Sequence, residues 1–175
     1  MGGWWVTETA VRFPDRAQSL ILTGTIGGLY TPELETAFQS FIASARHIAS
    51  TRPPEGRVGM HPAIDQRVFD RDPALAFLFQ ELGTFYEGPG KEIAAALVRD
   101  RRTHAEVDET GVPVLMLAGS DDPVFPAPLL QKSAALLAHG EYVQIAGGDH
   151  APFFTQAADW NTAVLGFLQR VTRAD

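Results

Sequence analysis

The sequence predicts an α/β protein built on parallel strands with flanking helices. Three observations point there. The short apolar runs SLILTG, VPVLMLAG and EYVQIAGG each stop at glycine. Stretches with apolar residues at helical spacing lie between and after them. The second run is apolar almost throughout, as a strand covered on both faces must be. Strands that alternate with helices imply parallel pairing through right-handed crossovers. Three strands are few for 175 residues, and no earlier strand stands beside SLILTG in this chain.

In chain order, Gly2 to Arg12 holds few breakers after Gly3 and stops before Pro14. It reads as a helix followed by a turn at Phe13-Pro14-Asp15-Arg16. Ser19 to Thr25 is the first strand. From Thr31 to Ser50 runs a long helix. Thr31 caps it, Pro32 suits its first turn, and Glu33 and Glu35 lie at its positive end. Leu34, Phe38, Phe41, Ile42, Ala45 and Ile48 make its apolar stripe. TRPPEGR breaks that helix, and Arg52 to Met60 reads as a loop. Asp72-Pro73 opens another helix with Leu75, Leu78, Phe79, Leu82 and Phe85 on one face, closed at Gly88-Pro89-Gly90. A further helix from Lys91 to about Arg102 turns Ile93, Ala94, Leu97 and Val98 inward. Val112 to Gly119 is the second strand, Pro126 to Ala138 a helix, and Glu141 to Gly148 the last strand. Ala157 to Val171 closes the chain as a helix with Trp160, Val164, Phe167, Leu168 and Val171 inward. The organisation is a partial core over residues 1–30, a helical insert over 31–105 and a second part of the core over 106–175. No repeat or low-complexity segment interrupts it.

Composition narrows the function. Apolar residues at 45% and charged ones at 20% are those of an ordinary globular domain. The formal charge of −7, with no basic run longer than Arg101-Arg102, argues against nucleic acid or an anionic membrane as partner. No apolar run is long enough to span a bilayer, and the first residues lack the pattern of a secretory signal. There is no cysteine, hence no disulfide, thiolate nucleophile or zinc thiolate site, which fits a cytoplasmic setting. No His-x₃-His metal spacing and no Gly-x-Gly-x-x-Gly loop occurs.

Ligands of open parallel sheets bind beyond the C-terminal strand ends. Three loops qualify: Gly24 to Leu29, Gly119 to Pro126 and Gly147 to Pro152. The second reads GSDDPVFP and sets two carboxylates directly after a buried strand. The third reads GGDHAPFF and sets a histidine after the next one. Alone, an Asp-Asp pair is turn and capping chemistry, and a lone histidine is structural. At neighbouring strand ends the two can hydrogen-bond, and an acid so placed fixes an imidazole tautomer and stabilises the imidazolium. Asp122 is the favoured acid and Asp121 the alternative, since one residue decides the register. Asp149, just before His150, either bends the loop or raises the imidazole's basicity. His47, His61, His104 and His139 read as structural or solvated.

VPVLMLAGSDDPVFP followed by YVQIAGGDHAPFFTQAADWNTAVLGFL resembles the C-terminal part of the α/β-hydrolase superfamily. That family orders its triad as nucleophile, acid, histidine. Its acid falls three residues after the strand's glycine with a proline soon after, which Gly119, Asp122 and Pro126 match. Its histidine precedes a small residue and a proline, which His150, Ala151 and Pro152 match. The opening MGGWW and FPDR are similar to the continuation of a Gly-x-Ser-Met-Gly-Gly elbow. The resemblance therefore implies a partial α/β-hydrolase fold with a helical lid over residues 31–105. It implies a catalytic pair of Asp122 and His150, a nucleophilic serine immediately before Met1, and the Met1 N–H in the oxyanion hole. The parent is then a serine hydrolase acting on a small-molecule ester, lactone or C–C diketone carbonyl without a cofactor, and these residues alone are expected to be inactive. The expected partners are a small-molecule substrate and either a missing N-terminal half or a second copy joined through an open sheet edge. The alternative is a non-catalytic binding remnant of the same fold.

Overall fold

The computed structural model describes residues 2–32, 63–64, 66–84 and 101–172, together with residues 34, 36, 39, 43 and 99. Three strands form one parallel sheet in the order β1-β2-β3: β1 (Leu20–Thr23), β2 (Val114–Gly119) and β3 (Gly140–Ile145). The register pairs Leu20 with Val114 and Val114 with Gly140, so all three strands end at the same side of the sheet. Every residue of β2 is buried, as its unbroken apolar run predicts. Val114, Met116 and Ala118 face one layer, and Leu115 and Leu117 the other. Each large side chain there contributes about 1.5–3 kcal/mol by leaving water.

On the first face lie helices α1 (Gly2–Arg12) and α5 (Ala127–Ala134). Helix α1 buries Trp4, Thr7 and Ala10, one residue per turn. Helix α5 buries Leu129, Leu130, Ser133 and Ala134. On the second face, α7 (Ala157–Val171) drives Val164 and Phe167 against Leu115, Leu117 and Ile145. A 3₁₀ turn at Pro14–Arg16 joins α1 to β1. These elements follow the sequence expectation closely. Two ends fall short: β3 stops at Ile145 rather than Gly148, and α5 stops at Ala134 because the chain must turn tightly into Gly140, whose amide bonds the Leu137 carbonyl at 3.3 Å. Trp5, unlike Trp4, is exposed.

Between β1 and β2 the chain leaves and returns at one point. Leu29 and Arg102 form a parallel bridge. The Tyr30 N–H donates to the Arg102 carbonyl at 2.8 Å, and the Arg102 N–H to the Gly28 carbonyl at 3.1 Å. The Arg102 guanidinium then binds both Glu8 carboxylate oxygens at 2.7 and 2.8 Å and Glu106 at 2.8 Å. The sequence predicts a helix from Lys91 to about Arg102. Instead that residue is a bridge, and α4 (His104–Asp108) starts afresh from a capping box of Thr103 and Glu106.

Inside the insert, the described positions 32, 34, 36, 39 and 43 are helical, and Thr31 Oγ1 accepts from the Leu34 amide at 3.3 Å as a cap should. Met1, His47, His61, the loop at 52–60, Phe85, the turn at 88–90 and, of the helix expected from Lys91 to about Arg102, residues 91–98 and 100 lie outside the described residues. Helix α2 (Gln66–Arg71) has no counterpart in the sequence reading, and α3 (Pro73–Thr84) follows it, capped by Asp72 onto the Leu75 amide at 2.9 Å. Within α3, Ala76 is buried and Leu75 and Phe79 are half-buried, while Leu78 and Leu82 are exposed. The stripe is narrower than expected because α3 packs along one edge, against α2 and the short helix α6 (Pro152–Thr155). Among the described residues no helix is long and apolar enough to cross a membrane.

Candidate active site

The sheet's C-terminal edge brings two loops together. The first follows β2 and carries Asp122. Its side chain is fully buried, and Oδ1 accepts the backbone N–H groups of Val124 at 2.7 Å and Phe125 at 2.9 Å. This Asx-type turn is local chemistry that aspartate makes readily, and it fixes the carboxylate plane. The second loop follows β3 and carries His150. Its Nδ1 lies 2.9 Å from Asp122 Oδ2 and 3.1 Å from Oδ1. The carboxylate accepts only, so Nδ1 carries the proton and Nε2 presents its lone pair.

The imidazole is held on its faces too. The Phe125 ring stacks on it, centroids 6.2 Å apart at 16°. Gly24, at the end of β1, adopts φ +59°, and a Cβ there would stand 3.0 Å from His150 Nδ1. Only glycine combines that backbone with that closeness. The His150 side chain is 27% exposed. Among the described residues no hydrogen bond is made to Nε2.

Backbone bonds lock the loops to each other. Ser120 N–H donates to the Ile145 carbonyl and Asp121 N–H to the Gly148 carbonyl, both at 2.9 Å. Gly119 makes this approach possible, because a Cβ would fall 2.2 Å from the Asp149 carbonyl oxygen. Asp149 is buried, and its Oδ1 accepts from the Ala151 amide and the Thr155 hydroxyl, each at 2.9 Å. Both bonds tie the Asp149 carboxylate back onto its own loop.

Of the adjacent carboxylates, Asp122 reaches His150 and Asp121 does not. Asp121 Oδ2 instead pairs with Arg67 at 2.5 Å. Ser120 Oγ donates to Asp121 Oδ1 at 3.0 Å and accepts from the Gly147 amide at 2.7 Å. His104 is buried with Nε2 2.9 Å from Ser133 Oγ, a structural role, and His139 is exposed. Met1 lies outside the described residues. Among those residues no group of three or more histidines or carboxylates is placed to hold a metal ion. Sequence reasoning gave no role to Phe125 or Arg67, and Gly24 entered it only as the start of a candidate loop. Phe125 carried the one available signal, an aromatic three residues after the acid.

No family model matches the chain. Over 71 residues it is 38% identical to a pimeloyl-[acyl-carrier protein] methyl ester esterase of Xanthomonas axonopodis pv. citri (strain 306), a stretch covering 41% of this chain and 27% of that relative. Its structure is similar to a thermophilic esterase from Thermogutta terrifontis, with TM-score 0.68 and 22% identity over 98% of this chain and 62% of that one. It is also similar to a carboxylesterase structure from Nitrososphaera gargenis, with TM-score 0.65 and 19% identity over 99% and 64%. The chain thus spans under two thirds of the length of these solved structures and 27% of the curated relative. What these likenesses show is the fold, that of the α/β hydrolases, of which the chain holds a part.

Proposed function

We propose that this part of an α/β-hydrolase fold supplies the acid and the histidine of a serine hydrolase acting on a small-molecule carboxylic ester. The observation that carries the reading is the Asp122–His150 hydrogen bond at 2.9 Å between loops at neighbouring strand ends. Esterase names on several similar proteins favour an ester, and one named for degrading an N-acyl homoserine lactone keeps a lactone as the second reading. The nucleophile in this reading is a serine set directly before Met1, on a longer polypeptide or a companion chain. Two things support that placement. MGGWW has the pattern that follows such a serine. Trp4 of α1 lies in one apolar cluster with Phe125, the residue stacked on His150.

The serine oxygen attacks the ester carbonyl carbon as its proton passes to His150 Nε2, and the carbonyl electron pair moves onto oxygen. The Met1 N–H donates to that oxyanion. Collapse expels the alcohol, which takes the proton back from Nε2, leaving an acyl-serine. Water repeats the sequence and releases the acid. Asp122 keeps the proton on Nδ1 throughout and stabilises the imidazolium between transfers. No cofactor takes part in this scheme. In this reading the nucleophile lies outside residues 1–175, which by themselves are expected to turn over no ester.

The test is expression of the chain with the in-frame coding sequence upstream of Met1. Hydrolysis of p-nitrophenyl acyl esters is expected, and its loss in His150→Ala. Activity that survives His150→Ala overturns the reading. Ligand binding without turnover, unchanged by that substitution, identifies a non-catalytic binding module instead.

A further inference from the structure

A cavity of about 220 Å³ lies between helix α2 and the loop that carries His150. Arg67, Val68 and Arg71 line it from the helix, and Gly147, Thr155 and Gln156 from the other side. Arg67 and Arg71 stand one turn apart on the same face of α2. Arg67 Nη2 donates to Asp121 Oδ2 at 2.5 Å. The Arg71 side chain makes no hydrogen bond or ion pair among the described residues. Across the cavity the polar groups have spent their donors. The Gly147 amide donates to Ser120 Oγ at 2.7 Å, the Thr155 hydroxyl to Asp149 Oδ1 at 2.9 Å, and Gln156 Nε2 to the Ala146 carbonyl at 2.9 Å. The Arg71 guanidinium is therefore the donor left for a ligand, with the positive charge of Arg67 beside it. No carboxylate is among the described residues that line the cavity.

We propose that this cavity binds a small oxyanion, the carboxylate or phosphate group of a fragment-sized ligand. The planar fork of Arg71 matches two oxygens of such a group. Like charges one turn apart on a helix repel, and an anion between them removes that cost. The volume is below the roughly 300–1,000 Å³ of pockets for drug-sized molecules, so the ligand is small, and Val68 offers its short alkyl part an apolar wall. The formal charge of the whole chain is −7, so the attraction comes from these two guanidiniums and not from a general positive field. Both arginines are exposed. Water and salt screen them, and the affinity is accordingly millimolar. Gly147 and Thr155 flank His150 in sequence, so the bound anion borders the histidine loop. The site stands whether or not Asp122 and His150 are an acid–base pair.

Two-dimensional NMR of the full chain tests it, with titrations of sodium propionate and, separately, of inorganic phosphate. Sodium chloride at matched ionic strength is the reference. The amides of Gly147 and Thr155 and the Arg71 Nε–H should shift and saturate, while the amide of Gly111, ahead of β2, stays in place. The anion with the lower Kd names the group. Arg71→Gln should weaken binding by about fivefold or more with an unchanged thermal midpoint, and Arg71→Lys should recover part of the loss. No saturation with either oxyanion, the same shifts with chloride, or equal binding in Arg71→Gln overturns the inference. So does movement of the His150 ring ¹⁵N resonances, which report its tautomer, in place of the amides, since that puts the anion at the imidazole. None of these outcomes touches the reading of Asp122 and His150, which the loss of hydrolysis in His150→Ala tests separately.

Discussion

Gly119→Ala should disturb the site more than any other single-methyl change. The added Cβ would lie 2.2 Å from the Asp149 carbonyl oxygen, 2.3 Å from that of Gly148 and 2.4 Å from the Gly148 carbonyl carbon. All three are backbone atoms, so no side chain can rotate away. Relief to ordinary contact needs the acid and histidine loops to separate by about 1 Å. That displacement stretches the Asp121 N–H bond to the Gly148 carbonyl, now 2.9 Å, beyond hydrogen-bonding range. It does the same to the 2.9 Å contact between Asp122 and His150. Overpacking costs about 1–3 kcal/mol and a lost hydrogen bond about 1 kcal/mol more. Urea denaturation of the full chain should therefore show Gly119→Ala destabilised by about 2–4 kcal/mol. The same variant should lose the single His150 tautomer. Stability within about 0.5 kcal/mol of wild type, with the tautomer intact, would refute the claim that the two loops are held by backbone contact at Gly119.

Asp122→Asn should leave the fold in place, because its amide oxygen still accepts from Val124 and Phe125. In an active extended polypeptide it should lower kcat by about 10³–10⁴-fold by favouring the wrong imidazole tautomer, read from steady-state kinetics. Acid should weaken the core. Hydrogen bonds from Arg102 hold the Glu8 carboxyl below its ordinary value of 4.5, and the Thr103 amide followed by Arg102 does so for Glu106. A depressed folded-state pKa gives stability that is complete above the ordinary value and is lost as pH falls through the lowered one. Chemical denaturation should accordingly show stability dropping below pH 4.5. Arg102→Gln should cost about 1 kcal/mol at neutral pH and flatten the part of that drop due to Glu8. Finally, β1 pairs only with β2 among the described strands, and an open apolar edge invites association. Sedimentation should show concentration-dependent oligomers of the chain; a monomer at every concentration would contradict this.

The core and the acid–histidine pair were legible because their signals are local. β2 is a run of apolar residues closed by Gly119, and the acid falls a fixed step beyond it. The last strand ends at Ile145, and Gly147 and Gly148 mark the turn just before His150. Register follows from parallel pairing of strands whose ends are marked by those glycines. Arg67 was not legible, since Asp121 lies 54 residues away, and among the described side chains of α2 Val68 alone is buried, too little for any period. In α3 the sequence shows an apolar stripe but not how much of it finds a neighbour, so Leu78 and Leu82 were placed on a buried face and are exposed. The overrun of the helix into Arg102 was avoidable. Thr103 and Glu106 spell a capping box, which marks a new start.

Mass spectrometry of the extended polypeptide, after brief reaction with a fluorophosphonate, tests the central claim most directly. One adduct is expected on the serine directly before Met1, forming at least about a hundredfold more slowly when His150 is replaced by alanine. An adduct on a residue of the 175 described by this sequence, or labelling at the same speed without His150, would contradict it.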